Sequence, residues 1–146
     1  MASSAEIRRR MQRQAQRDTL PELALRRELW RRGFRYRVDI PPVKGLRRRA
    51  DVVFARASVA VYVDGCYWHR CPEHGTVPRA NRDWWVAKLE GNVQRDRDTD
   101  IRLRTVGWEV IRVWAHEPVT DAADRVATVV TRRLDQRRLA HQVNDP

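Results

Sequence analysis

Side chains that can bind a metal are concentrated in one short segment of the sequence. Cys66, Cys71 and His74 lie within nine residues, directly after the apolar run at 59–63. Zn²⁺ takes thiolate and imidazole ligands, four in a closed structural site, and His116 is the best candidate for the fourth. We expect such a Cys2His2 site to stabilise the fold rather than to catalyse a reaction. The alternative is two unpaired thiols and two surface histidines.

His69 lies inside the same segment but is not needed to complete the zinc site. An imidazole titrates near neutral pH, which suits general acid–base catalysis. His69 could instead replace His74 as a ligand. The neighbouring Tyr67 and Trp68 could wedge between stacked nucleic-acid bases, or could form a small core that covers the loop.

Two aspartates lie at the ends of apolar runs. Asp51 begins the run at 51–54, and Asp64 follows the run at 59–63. Adjacent strands can bring both carboxylates, and the main-chain carbonyl of Val63, to one end of a sheet. Such oxygens bind Mg²⁺, which neutralises phosphate charge and activates water in phosphodiester hydrolysis. A turn or cap role is the alternative for each aspartate alone, but the pair favours a magnesium site.

Two further acidic residues allow two interpretations each. Glu22 completes Thr19-Leu-Pro-Glu22, which has the S/T-x-x-E form of a helix capping box, yet the same helix could direct this carboxylate to the site. Asp96 lies in a long predicted helix, where it could orient His69 or be a solvated charge on the helix face. Both are kept as candidate site residues.

Positive charge is concentrated in the first third of the chain. The formal net charge is +11, and residues 1–49 alone carry 15 basic and 5 acidic side chains. This asymmetry indicates a polyanionic partner, with DNA as the obvious one, although Arg-rich runs can also be solubilising faces. The arginines expected to contact the DNA backbone are Arg8, Arg9, Arg10, Arg13, Arg47, Arg48 and Arg49.

Hydrophobic periodicity predicts a mixed α/β sheet flanked by helices, in one domain at 18–146 that follows a basic arm at 1–17. We expect the arm to become ordered on DNA. The predicted elements are a helix at 20–32 ended by Gly33, strands at 34–38, 51–54 and 59–63, a helix at 81–105, a strand at 108–114 and a helix at 120–139.

Six tryptophans are many for a chain of this length. We expect Trp30, Trp108 and Trp114 in the core, together with Val126, Val130 and Leu134 of the last helix. For Trp85, core packing and stacking on bases are equally compatible with its place near the start of the long helix. His141 is expected to be a surface residue.

Several protein classes do not fit the sequence. It has no apolar span of 18 residues, and its Arg-rich start lacks the apolar segment of a secretory signal. We therefore expect no membrane partner and a reducing cytoplasmic location, where two cysteines serve as metal ligands or free thiols rather than as a disulfide.

The sequence resembles the very-short-patch repair (Vsr) DNA mismatch endonucleases. The resemblance runs from about residue 18 to residue 117. It is carried by Asp64-Gly-Cys-Tyr-Trp-His-Arg-Cys-Pro-Glu-His-Gly75, then Pro78, Asn81, Trp85, Lys88, Asn92, Arg95-Asp96, and finally Gly107-Trp108 with Val113-Trp114.

The resemblance implies a restriction-endonuclease-like fold of the PD-(D/E)xK type, a structural Zn²⁺ and a catalytic Mg²⁺. It implies nicking 5′ of the T in a T·G mismatch, produced when 5-methylcytosine deaminates, by a monomer that acts alongside a cytosine-5 methyltransferase. By position, Asp51 and the Val63 carbonyl match metal-binding groups, and His69 matches the catalytic histidine. Glu22 and Asp96 match supporting acidic residues, whereas the matches to intercalating aromatics are Tyr67, Trp68 and Trp85.

This chain departs from the family pattern at two places. Position 64 is Asp where the best-known members carry a histidine, so this chain would use a second carboxylate on the metal. The proposed zinc ligands Cys71, His74 and His116 also stand in a different Cys/His order, which zinc chemistry tolerates. Two alternatives remain: a restriction-type or structure-specific nuclease that cuts without regard to mismatch, and, because of the altered position 64, a zinc-stabilised DNA-binding module without activity.

Overall fold

The computed structural model describes residues 19–65 and 81–143. None of the helices in these two segments combines the length and apolar character that a membrane span requires. The elements in chain order are α1 (Leu20–Arg31), β1 (Arg37–Ile40), β2 (Ala50–Phe54), β3 (Val59–Asp64), α2 (Arg82–Thr105), β4 (Glu109–Trp114) and α3 (Val119–Val143).

The four strands form one sheet in the order β1-β2-β3-β4. Strands β1, β2 and β3 pair antiparallel, as their short connections allow, whereas β3 and β4 pair parallel and are joined by a crossover that contains α2. The register places Asp64 opposite Trp114. Because β2 runs against β3, the beginning of β2 lies at the same edge of the sheet as the ends of β3 and β4.

The sheet is covered on both faces. One cluster of buried side chains packs β2, β3 and β4 against α1 and α3, and contains Leu29, Val61 and Val126. The other cluster includes Tyr62 and packs against Leu103 of α2 and the segment that follows β1. Strands β2 and β3 are therefore buried on both sides, as their uninterrupted apolar sequences predict.

The predicted mixed α/β architecture is confirmed, with small shifts at element ends. Helix α1 ends two residues before Gly33, which adopts a left-handed φ of +98° that suits a residue without a side chain. The first strand begins at Arg37 instead of residue 34. Phe34 and Tyr36 nevertheless pack against the core while Arg35 is exposed, so the predicted alternation holds outside the paired strand.

Two residues predicted to be in the core are exposed. Trp30 lies in the last turn of α1 and is 52% exposed. The Arg35 guanidinium stacks on its ring, with Cζ 3.5 Å from the ring centre. Leu134 is 39% exposed in the last part of α3, where every residue at 134–142 is exposed and Arg137 bonds to Ser58 in the turn between β2 and β3. Trp108 and Trp114 are half-buried, and His141 is exposed as predicted.

We expect Leu29→Ala to lower the free energy of unfolding by about 3 kcal/mol, because it removes a fully buried side chain and leaves a cavity. The matched control is Leu134→Ala on the exposed part of α3, which should change it by less than about 0.5 kcal/mol. Chemical denaturation measures both. Equal losses in the two variants would contradict the assignment of the core.

Candidate active site

The Asp51 carboxylate lies where β2 and β3 separate. The paired positions of these strands extend as far as Val52 opposite Val61. One residue further, Asp51 Oδ2 accepts a hydrogen bond of 2.6 Å from the Val63 main-chain N–H. The Asp51 side chain thus accepts a hydrogen bond from β3 just beyond the last main-chain pairing of β2 with β3. This bond fixes the carboxylate at the edge of the sheet.

Asp51 lies in a strongly acidic environment. Burial raises the pKa of its carboxyl, the Val63 N–H opposes this, and the charges of Glu22, Asp64 and Asp39 raise the pKa further, to about 7. Ionising Asp51 is therefore unfavourable in the protein alone. A divalent cation beside Asp51 would offset the repulsion, so the chemistry of this site fits Mg²⁺.

The main chain of Val63 is directed towards Asp51. Asp64 faces β4 with its carbonyl, which accepts a bond of 2.9 Å from the Ala115 N–H. Main-chain groups of successive strand residues point in opposite directions, so the N–H and carbonyl of Val63 both face the β2 side. The predicted carbonyl ligand and the Asp51 carboxylate are therefore on the same side of β3.

Glu22 is brought close to Asp51. Its side chain is buried at 2% exposure in the first turn of α1, and its charge is one of those that raise the pKa of Asp51. Thr19 begins this helix without a side-chain capping bond, so its half of the predicted capping box does not form. The geometry favours the interpretation that α1 directs Glu22 to the site.

Asp64 ends β3 in a buried ion pair. Both of its carboxylate oxygens accept from Arg112 Nη1, at 3.0 and 3.2 Å. The same guanidinium donates to Asp100, from Nε at 3.0 Å and from Nη2 at 2.7 Å. The prediction that Asp64 is a metal ligand is neither confirmed nor contradicted by this pairing, but the carboxylate already has a cationic partner.

Asp96 is also held by arginines. It is 7% exposed on α2, accepts a bond of 2.7 Å from Arg48 Nη2 and lies 3.6 Å from Arg112 Nη1. The alternative that Asp96 is a solvated charge on the helix face is therefore wrong. Of the three arginines predicted to contact DNA in this region, Arg47 and Arg49 are exposed, whereas Arg48 is occupied by Asp96.

The predicted zinc site falls mostly outside the described residues. His116 is exposed in the turn after β4, at the sheet edge where the chain leaves β3 through Gly65, one residue before Cys66. Residues 66–80 lie outside the described segments, and with them Cys66, Tyr67, Trp68, His69, Cys71 and His74; so do Arg8, Arg9, Arg10 and Arg13. Within 19–65 and 81–143, no three His, Cys, Asp or Glu side chains form a metal-binding group.

The two tryptophans at the start of α2 have different environments. Trp85 is 4% exposed and Trp84 is 46% exposed, with their rings edge to face at 4.6 Å. In this conformation the buried ring of Trp85 belongs to the packing of α2, and Trp84 offers the accessible aromatic surface. Intercalation by Trp85 stays a prediction that would require the ring to move.

The sequence reasoning did not identify Arg112 as a site residue. A signal was present, because Arg112 is the one charged residue in the otherwise apolar segment 110–114 of β4. A charge at such a position must be paired if it is buried. Its partners are not recognisable from the sequence, since Asp64 lies 48 positions away.

Comparison with known proteins identifies relatives of this chain. The family model described as "DNA mismatch endonuclease Vsr" matches residues 3–73. The type II nicking enzyme V.NaeI of Lentzea aerocolonigenes is 45% identical over 84% of this chain and 73% of its own length. V.NmeDIP of Neisseria meningitidis serogroup C is 36% identical over 82% of both chains. The DNA mismatch endonuclease Vsr of Escherichia coli K12 is 32% identical over 84% of this chain and 76% of its own length.

We expect Asp51→Asn to stabilise the metal-free protein at pH 8, although it removes the central carboxylate of the site. Between the unfolded-state pKa of 3.8 and the folded-state pKa of about 7, only the unfolded chain loses the Asp51 proton, so stability falls as pH rises. Because Asp51 is only half-buried, we expect a gain of about 1–3 kcal/mol at pH 8.

Chemical denaturation with chelator at pH 4 and pH 8 tests this. The difference between Asp51→Asn and the wild type should fall below about 1 kcal/mol near pH 4, where folded Asp51 is protonated and unfolded Asp51 is only about half ionised. Asp135→Asn, at an exposed position of α3, controls for general loss of negative charge. If Asp51→Asn had a lower free energy of unfolding than the wild type at pH 8, this would contradict the conclusion that an ionised Asp51 carboxylate destabilises the folded protein.

Proposed function

The chain belongs to the Vsr family of DNA mismatch endonucleases, and from this premise we propose that it nicks one strand of duplex DNA 5′ of the T in a T·G mismatch. Such mismatches arise when 5-methylcytosine deaminates, so the enzyme would act, as a monomer, with a cytosine-5 methyltransferase. The observation that carries the proposal is the Asp51 carboxylate, held between β2 and β3 by Val63 in an acidic environment.

Mg²⁺ is the proposed catalytic cofactor, with the Asp51 carboxylate and the Val63 carbonyl as its protein ligands. When bound there, it would neutralise charge on the scissile phosphate and lower the pKa of a coordinated water. Mg²⁺ commonly takes only one or two carboxylates from a protein and fills its other positions with water and phosphate oxygens. Two protein ligands are therefore sufficient in this site.

Proton transfer is proposed for His69. Asp96 would orient this imidazole from α2, where Arg48 and Arg112 fix the Asp96 carboxylate in place. Glu22 would support the site from α1 by keeping its potential negative. Asp51 would thus bind the metal, and His69 would transfer the proton, since general acid–base catalysis requires a side chain positioned for that transfer.

Recognition of the mismatch is proposed for the aromatic residues Tyr67 and Trp68, which would insert beside the T·G pair. A mismatched step is easier to unstack than a paired one, so insertion would discriminate in favour of the mismatch. Trp85 stays a candidate, and its exposed neighbour Trp84 is the nearer base-stacking surface in this conformation. The DNA backbone would be held by the basic arm at 1–17 and by Arg47 and Arg49.

A nuclease that nicks without regard to mismatch is the second candidate, because five of the relatives, V.NaeI among them, are named type II nicking enzymes. Labelled duplexes with T·G or C·G at one position, in varied flanking sequences and with Mg²⁺, separate the two. We expect cutting of the T strand in T·G duplexes alone. Equal cutting of matched DNA would favour the second candidate, and binding without cutting would favour an inactive module.

We expect Asp51→Ala to reduce nicking of the T·G duplex by at least about 1,000-fold, because it removes the carboxylate that would hold the metal. DNA binding, measured by mobility shift in Ca²⁺, should change much less, since the arginines that contact the backbone are retained. Asp135→Ala on the exposed face of α3 is the control and should nick normally. Persistent cutting by Asp51→Ala would remove the proposed metal site.

We expect about one Zn per chain in the purified protein, bound by Cys66, Cys71, His74 and His116. His116→Ala should lower both zinc content and thermal stability, because a closed site contributes directly to folding. His141→Ala, at an exposed position of α3, is the matched control. Elemental analysis gives the metal content, and a zinc-free wild-type protein would contradict the site.

A further inference from the structure

The guanidinium of Arg112 joins three acidic side chains from two elements. It lies on β4 opposite Tyr62 of β3, and its plane is 4.4 Å from the centre of the Tyr62 ring. Its Nη1 atom donates to the Asp64 carboxylate at the end of β3, whereas Nε and Nη2 donate to the Asp100 carboxylate on α2. It thereby ties the strand that carries Val63 to the helix that carries Asp96.

All three nitrogens of the Arg112 guanidinium make contacts with acidic residues. Nη2 also donates to the Asp96 main-chain carbonyl at 3.3 Å, and Nη1 lies 3.6 Å from the Asp96 carboxylate. The side chains of this network are largely buried, with exposed fractions of 20% for Arg112 and 7% for Asp64. A buried charge pair of this kind is costly to break from one side, because the remaining charge lacks compensation.

Asp64 and Asp51 therefore have different surroundings at the same edge of the sheet. Both oxygens of Asp64 lie within 3.2 Å of one Arg112 nitrogen, so a metal bound by Asp64 would compete with that cation. The Asp51 carboxylate instead accepts from a neutral main-chain N–H. Mg²⁺ demands near-octahedral geometry from its ligands, and the positive charge of Arg112 beside the Asp64 oxygens would repel a second cation there.

We propose that Arg112 is a positioning residue of the nicking site, and that Asp64 acts by anchoring Arg112 instead of by binding the catalytic metal. Arg112 fixes the end of β3, and thus the Val63 carbonyl, relative to Asp96 on α2. This inference rests on the proposed magnesium-dependent nicking. It assigns a role to a residue pair, Asp64 with Arg112, that is distinct from the metal ligand set.

The test uses Asp64→Asn, Arg112→Met, the double variant and Arg112→Lys in the full chain. Arg102→Met is the control, since Arg102 pairs with Asp98 at 3.0 Å on the exposed side of α2. Three quantities are measured: single-turnover nicking at saturating Mg²⁺ and DNA, the half-saturating Mg²⁺ concentration, and the thermal midpoint of the DNA-free protein with and without Mg²⁺.

We expect Arg112→Met to slow nicking by about 10- to 100-fold at saturating Mg²⁺, the usual effect of losing a group that orients a metal site. Asp64→Asn should raise the half-saturating Mg²⁺ concentration no more than Arg112→Met does, since Asp64 acts through Arg112, and should retain the Mg²⁺-induced shift in the thermal midpoint. The double variant should nick faster than Arg112→Met, because the carboxylate left unpaired by Arg112→Met is neutralised. Arg112→Lys should be intermediate, since an ammonium cannot reproduce the fork.

Three results would overturn the inference. One is a half-saturating Mg²⁺ concentration for Asp64→Asn that rises at least about tenfold above that of Arg112→Met, with loss of its thermal shift, because an effect larger than the loss of Arg112 identifies Asp64 as a ligand. The second is a double variant no faster than Arg112→Met, and the third is an Arg102→Met variant as slow as Arg112→Met. If the wild type fails to nick T·G duplexes, the proposed function fails; a Mg²⁺-induced thermal shift that Asp64→Asn retains would still show that Asp64 is not a metal ligand, and loss of that shift would overturn this assignment as well.

Discussion

The hydrogen bond between the Asp51 carboxylate and the Val63 N–H is the constraint on which the site depends. It stands where the main-chain ladder of β2 and β3 stops, so one contact both ends the pairing and fixes a carboxylate at the sheet edge. The same contact directs the Val63 carbonyl to the side on which Asp51 lies. Only a sheet whose central strands are buried on both faces holds these groups rigidly enough.

Acidic residues at this edge fall into two electrostatic groups. Asp64 and Asp96 are paired with arginines, and these contacts hold the ends of the strands against α2. Burial, together with the negative charges of Glu22, Asp64 and Asp39, raises the pKa of Asp51 to about 7. Ionising Asp51 is therefore unfavourable in the folded protein, whereas the charges of Asp64 and Asp96 are compensated by arginines. Such an arrangement favours a divalent cation at Asp51, at some cost to the stability of the protein alone.

The parallel β3–β4 pair makes this separation possible. Because α2 crosses from β3 to β4, it lies against the sheet with Asp96 and Asp100 facing Arg112. The ends of β3 and β4 then meet at one edge, where His116 lies near the start of the segment predicted to bind zinc. The crossover thus places α2 beside the edge of the sheet at which Asp64 and Arg112 are paired.

The sequence alone determined the order of helices and strands and the two doubly buried strands, and it pointed to Asp51 as a candidate metal ligand, because periodicity and strand-end position are local properties. It also carried the family resemblance that the comparisons confirmed. Tertiary structure decided how the charges pair. The contacts of Arg112 with Asp64 and of Arg48 with Asp96 each join residues 48 positions apart. No local pattern encodes such a meeting, because it depends on how α2 packs across the sheet. The exposure of Trp30 was likewise decided by packing, since it depends on where α1 ends relative to the core.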